Sequence, residues 1–233
     1  DEGCFFQRHR SAGLPDALGA IPIRQSDGAR EPHILIEDEA GLEACAQIGA
    51  IELHPWGARA SDLERPERLV IDLDPGPGAG FAQVRQAARA SAERLEAAGL
   101  TPFFLLTGGK GVHVIAPLEP EAAWDRAKDF AEALARELER ADPDRYTASA
   151  SREKRRGRVF VDWLRNSRGA SAIAPYSPRA KPGAPVAAPI RRDELSRVKA
   201  GAYTMKTIRA RLRALKADPW AGYDAARRPL PDR

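Results

Sequence analysis

The chain has 233 residues, 43% of them hydrophobic and 30% charged, with a net charge of +4. That balance excludes global disorder and leaves room for one large α/β domain or two small ones. No apolar run approaches the roughly 20 residues that cross a bilayer, and no basic-then-apolar leader is read at the start, so a cytoplasmic protein with no membrane partner is expected.

Cys4 and Cys45 match no metal-ligand spacing and read as reduced, structural thiols. The basic excess is uneven. Arg152–Arg158 (REKRRGR), Arg165–Arg168, Arg179–Lys181, Arg191–Arg192 and Lys199–Lys216 crowd the C-terminal half. Such a surface suits a polyanion. A solvated face accounts for it equally well.

In chain order, Cys4–Gln7 reads as a short strand, followed by Arg8, His9 and Arg10. Phe5 and Phe6 beside basic residues suit base stacking and phosphate contact; core packing next to a polar loop is the plainer alternative. Ile21–Ile23 and His33–Glu37 read as strands. Asp38–Ile48 reads as a short helix with Leu42, Cys45 and Ile48 on its apolar side. Ala50–Pro55 reads as a strand ending near His54, and a single histidine is more often structural than a ligand. Leu69–Asp74 is a strand closed by Pro75-Gly76-Pro77-Gly78. Asp72 and Asp74, two apart, project from one face at its end. Phe81–Ala98 has helical apolar spacing and Gly99 as its stop. Pro102–Leu106 is a buried strand. Thr107-Gly108-Gly109-Lys110-Gly111 is a glycine-rich turn into the strand Val112–Ile115, which carries His113. Because a strand follows the lysine, this is no Walker loop. Its glycines let backbone N–H groups approach an anion, though an ordinary hairpin also fits. Glu121–Ala141 is a long helix ended by Asp142-Pro143. Val159–Trp163 is a strand with Asp162 among apolar neighbours. Ala172–Pro189 reads as ordered strand and loop, Thr204–Ala217 as a short basic helix, and residues 224–233 as a disordered tail behind a single domain over 1–223.

Two adjacent carboxylates repel, and their burial is costly unless a cation offsets it. Asp72, Asp74 and Asp162 at strand ends suit Mg²⁺ or Mn²⁺, which prefer oxygen ligands. Two such ions stabilise the attacking and leaving oxygens of an in-line phosphoryl displacement. Solvated caps of a turn are the alternative.

Five ordered segments now point to a family: CFFQRH (4–9), AIELHPWGARASDLERPERLVIDLDPGPG (50–78), TGGKGVHVIAPL (107–118), SREKRRGRVFVDWLRN (151–166) and APYSPRAKPGAPVAAPI (174–190). The chain resembles the polymerase domain of bacterial ligase D, in the archaeo-eukaryotic primase superfamily. The resemblance implies an α/β (α+β) fold: a primase-type core with a mixed RRM-like sheet flanked by helices, plus a second small sheet from the N-terminal half. It implies that Asp72, Asp74 and Asp162 hold two Mn²⁺ or Mg²⁺ ions. Thr107, Gly108, Gly109, Lys110 and His113 match the motif that holds a nucleotide's phosphates, with Thr107 where serine is usual and Leu105-Leu106 where Lys-Thr is common. His54, Arg179, Phe5 and Phe6 match positions near the nucleotide or a stacked base. Arg8, Arg10, Lys154, Arg155, Arg156 and Arg165 are candidate DNA contacts. The implied activity is nucleotidyl transfer, with a leaning to ribonucleotides, onto DNA ends or a gapped primer–template in non-homologous end joining. The implied partners are ligase and nuclease domains and a Ku-type protein, in a bacterial, nucleoid-associated setting. The resemblance also implies basic residues ahead of the CFFQ segment, near a downstream 5′-phosphate, that this sequence lacks. A non-catalytic DNA-end-binding module of the same fold is the alternative.

Overall fold

The computed structural model describes residues 5–25 and 27–232. The reading that begins at Cys4 therefore lies partly outside the described residues. The chain divides into two compact units, Asp1–Ile51 and Glu52–Arg233. Each has buried residues of its own.

The first unit holds β1 (Gly19–Arg24), β2 (Arg30–Leu35) and α1 (Glu39–Gln47). The two strands pair antiparallel and form the small sheet expected of the N-terminal half. Asp38 caps α1 by accepting from the Gly41 N–H, as short polar side chains do at helix starts. The apolar side of α1 differs from expectation: Gly41, Ala44 and Cys45 are buried, while Leu42 and Ile48 are exposed. Close approach is the reason, since a Cβ on Gly41 would stand 3.1 Å from Ile36 and 3.2 Å from the Ala17 carbonyl.

The second unit is built on a six-stranded sheet in the order β6-β7-β3-β5-β4-β8. Its strands are β3 (Arg68–Pro75), β4 (Phe103–Leu106), β5 (Val112–Pro117), β6 (Tyr146–Thr147), β7 (Val159–Asp162) and β8 (Ala188–Ile190). All neighbours are antiparallel except β6 and β7, which makes the sheet mixed. Helices α2 (Phe81–Ala97) and α3 (Trp124–Ala141) cover one face. There Leu69, Ile71 and Leu73 of β3 join Val84, Leu95, Leu134 and Leu138 in the main core. Val70, Leu105 and Ile115 face the other way, under Ile173 and Ala187. A short helix α4 (Ile208–Ala214) follows.

Three expectations change. Residues 50–55 form no strand; Leu53 and Pro55 accept backbone bonds from Ala174 and Ala172 in an irregular pairing. Helix α3 starts at Trp124; ahead of it Leu118 N–H donates to Glu67 O, Glu119 N–H to Arg228 O and Glu121 N–H to Glu119 O, so 118–121 are tied into a turn instead of the helix. Residues 224–232 are packed, not loose: Leu230 is buried and Arg227 donates to the Glu67 and Leu118 carbonyls.

Candidate active site

Register places the acidic row. Asp72 on β3 pairs with Asp162 on β7 and with His113 on β5. Side chains opposite one another in a sheet share a face, so Asp162, Asp72 and His113 form one row over three strands. Asp74 lies one pleat further toward the strand end. Asp72, Asp162 and His113 are buried.

This row is only partly compensated. Arg165 Nε sits 3.1 Å from Asp72 Oδ2 and 3.3 Å from Asp162 Oδ2. His113 Nε2 lies 3.4 Å from Asp72 Oδ1, which has no hydrogen-bond partner although it is buried. Burial would raise the Asp72 pKa, but His113 and Arg165 outweigh it and the carboxyl is held below its usual range. Asp74 goes the other way: burial, then the charge of Asp72, pushes it up to about 6. Asp162 is raised by the same two causes. A hard divalent cation fits such a donor set, which has excess oxygen charge and an orphaned oxygen. Asp72, Asp74 and Asp162 are the residues that would hold it. They do not close on one point: among the described residues, they form no group of three whose ligand atoms all lie within 4.8 Å of one another.

Local sequence explains the placement. The Pro/Gly turn after β3 docks on the 155–158 loop, where Gly76 N–H donates to Arg158 O and Gly157 N–H to Pro77 O. A Cβ on Gly76 would lie 1.8 Å from the Arg155 carbonyl oxygen, so only glycine fits. Gly111 is constrained from the other side, with Asp74 Oδ1 2.7 Å and Leu73 O 2.9 Å from its would-be Cβ. Thr107 Oγ1 donates 3.1 Å to Gly111 O and closes the turn. Gly108 has φ +71° and backs onto Arg179. Lys110 is exposed at the tip.

Three residues that sequence reasoning missed hold this site. Glu52 binds two of the predicted nucleotide residues: its Oε2 is 2.8 Å from His54 Nε2 and 3.0 Å from Arg179 Nε, and its Oε1 accepts from Ala180 N–H at 2.8 Å. Burial would raise the Glu52 carboxyl, but these partners hold it below its usual range. Arg179 also donates to Thr107 O at 2.8 Å. Buried Asn166 gives an amide to both Val70 N–H and Val70 O at 2.8 Å. It substitutes for strand pairing just past the end of β7, beside Arg165. Lys181 Nζ stands 2.9 Å from the would-be Cβ of Gly109, which puts a second lysine at the turn. Glu52 stands two residues before His54 and so carried a signal; Asn166 and Lys181 did not.

The other candidates separate. Arg165 lies against the aspartates. Arg155 stacks over Phe160 at 4.7 Å, with Lys154 and Arg156 exposed beside it. In the first unit, Phe5 and Phe6 are exposed, at 81% and 68%. Arg10 donates to the Leu18, Ser11 and Pro15 carbonyls, and Arg8 Nε lies 2.8 Å from His9 Nε2.

A mixed six-stranded sheet with a carboxylate row on adjacent strands, next to a glycine-rich turn and covered on one face by two helices, defines an α/β fold of the LigD polymerase-domain type. The chain belongs to the LigD primase-polymerase domain family, which matches residues 1–220. It is 39% identical over 226 residues to the multifunctional non-homologous end joining protein LigD of Pseudomonas aeruginosa, covering 96% of this chain and 27% of that protein. It is 32% identical over 213 residues to the bifunctional non-homologous end joining protein LigD of Bacillus subtilis, covering 90% of this chain and 34% of that protein. The chain thus spans about a quarter to a third of those relatives. It superimposes with TM-score 0.86 and 31% identity on the polymerase domain of Mycobacterium tuberculosis ligase D in complex with DNA, over 95% of this chain and 79% of that one.

Proposed function

We propose that this chain is a template-directed nucleotidyltransferase that extends the 3′-hydroxyl of a gapped or broken DNA end with nucleoside triphosphates, in the repair of double-strand breaks. The observation that carries this reading is the row Asp162–Asp72–His113 with Asp74 beyond it, a buried excess of carboxylate at an open strand end. In the reaction the 3′-oxygen attacks the α-phosphorus in line, the bond to the β-phosphate oxygen breaks, and pyrophosphate leaves. Two Mn²⁺ or Mg²⁺ ions would supply the charge that the attacking and leaving oxygens need. The chain's own residues do the rest. Asp72, Asp74 and Asp162 would hold the cations, and Arg165 bridges Asp72 and Asp162. Gly108, Gly109 and Gly111 bring backbone close to the phosphates, and Lys110 and Lys181 add charge. Glu52 fixes His54 and Arg179 toward the nucleotide. Phe5 and Phe6 offer a stacking surface, and the basic loop with Lys154 and Arg156 meets the DNA backbone. The LigD relatives are named for end joining and the structural neighbour holds DNA, which supports DNA as the substrate here; further catalytic domains and a Ku-type protein are the partners we propose with it.

The test is extension of a gapped primer–template by purified protein with Mn²⁺ and each of four ribonucleotides. Growth that depends on the template base and vanishes in Asp72→Ala supports the reading; no growth, or growth equal in Asp72→Ala, rejects it. One observation favours a second reading. The Arg165 guanidinium already bridges Asp72 and Asp162, as it would in an end-binding module that had lost turnover. Salt-sensitive binding to DNA ends without incorporation selects that reading.

A further inference from the structure

A second constellation lies in the first unit, in residues to which the polymerase chemistry gives no role. Among the described residues, His9, Glu31 and His33 are the group of three whose potential ligand atoms all lie within 4.8 Å of one another. Backbone geometry puts them there. His9 bridges antiparallel to His33, so the two rings face each other across the ladder. Glu31 is two residues before His33 on β2 and therefore shares its face. The ring centroids of the two histidines are 4.9 Å apart and tilted by 43°.

We propose that His9, Glu31 and His33 form a mononuclear zinc-class site with three protein ligands. The spacing argues for a shared ion over a simple ion pair. His9 Nδ1 and Glu31 Oε2 are 3.4 Å apart, long for an N–H···O bond of about 2.7–3.2 Å. Bonds of about 2.0–2.1 Å to one tetrahedral ion place two ligands about 3.3–3.4 Å apart, which matches. Two imidazoles and a carboxylate suit Zn²⁺ and its neighbours in the divalent series. His33 is buried on the hairpin, and a neutral imidazole offers an ion one ring-nitrogen lone pair. Arg8 is the opposing feature. Its Nε donates to His9 Nε2, and that nitrogen must carry the proton once Nδ1 binds an ion. Arg8 is exposed, so its side chain can swing into solvent. Gln25 Nε2 lies 3.4 Å from His33 Nε2.

Such an ion would act as a staple. The segment with Phe5, Phe6 and Arg8 is joined to β2 by backbone bonds around His9, Arg10 N–H to Pro32 O and Ile34 N–H to Arg8 O. A metal bridging His9 to Glu31 and His33 would pin that segment to the hairpin. The experiment strips the purified chain with chelator and titrates it with Zn²⁺ and separately with Co²⁺. The expected result is one bound equivalent, with the intense visible absorption of tetrahedral Co²⁺, retained when Asp72 and Asp74 are both changed to Asn. His9→Gln and Glu31→Gln, each checked for native circular dichroism, should each weaken binding by at least about tenfold. Lack of a stoichiometric tetrahedral ion overturns the proposal. So does binding that survives both ligand variants, or binding that disappears with the aspartates.

Discussion

The two faces of the six-stranded sheet follow different rules, and β3 shows both within six residues. Leu69, Ile71 and Leu73 face the helices and are fully buried in a dry core. Val70, Asp72 and Asp74 face the other way, and there apolar cover gives out just where the carboxylates begin. One face gains from burial; the other tolerates burial that costs it. Stability and chemistry are thus divided by the strand's two-residue period, with no loop between them. The substitutions that separate the two faces test this division directly.

The largest contrast is between neighbours. Leu73→Ala should lower folding free energy by about 2–5 kcal/mol, read by urea unfolding, while nucleotidyl transfer per folded molecule persists. Asp74→Asn should do the reverse. Losing even an outer partner of a metal ligand costs about 10–100-fold, so primer extension should fall by more than about a hundredfold. Its thermal midpoint in chelator at neutral pH should stay level or rise, because one of two repelling neighbouring carboxylates is gone. A destabilised Asp74→Asn, or a folded but inactive Leu73→Ala, would break the division. Gly111→Ala should strike both faces together. Its Cβ would meet Asp74 Oδ1 at 2.7 Å and Leu73 O at 2.9 Å. A stability loss of about 1–3 kcal/mol is expected, with extension reduced well below that of a surface control.

Glu52 gives a smaller, more selective effect. Replacing its carboxylate by an amide weakens a charged contact worth about 1.5–3 kcal/mol, so Glu52→Gln should raise KM for the nucleotide by about tenfold or more with a smaller change in kcat. It also has a pH signature. The folded-state pKa lies below the ordinary 4.5, so the carboxylate's stabilisation is present above that value and lost as pH falls beneath it. The thermal midpoint of wild type should therefore exceed that of Glu52→Gln at pH 7, and the gap should narrow as pH falls below 4.5. A constant gap would mean that the Glu52 charge does not hold His54 and Arg179.

Long periodic elements were legible from the chain: β3, α2 and most of α3 stand where alternation and helical spacing put them. The acidic pair was legible for the same reason, since a two-residue step before a Pro/Gly cluster fixes both face and position. What joins the pair to Asp162 and His113 is register between strands, which local pattern does not encode; the sequence could group Asp162 with them only as another carboxylate at a strand end. Glu52 and Asn166 act over separations of 128 and 96 residues, and no window on the sequence spans that. The misread side of α1 has a related cause. Small residues let the helix approach closely, so hydrophobicity pointed to Leu42 and Ile48 while geometry chose Gly41 and Ala44.

The smallest effect separates structure from binding at the glycine turn. The hydroxyl of Thr107 is already used to donate to Gly111 O. Thr107→Ser keeps that donor and should match wild type in melting and in KM. Thr107→Val removes it and leaves a buried carbonyl with one partner fewer, at a cost of about 0.5–1.5 kcal/mol. If the hydroxyl only closes the turn, KM for the nucleotide should shift no more than that cost allows. A larger rise in KM for Thr107→Val, with melting changed only slightly, would show that the same oxygen also receives the nucleotide, and would move the boundary of the site one residue back along the chain, from the glycines to the end of β4.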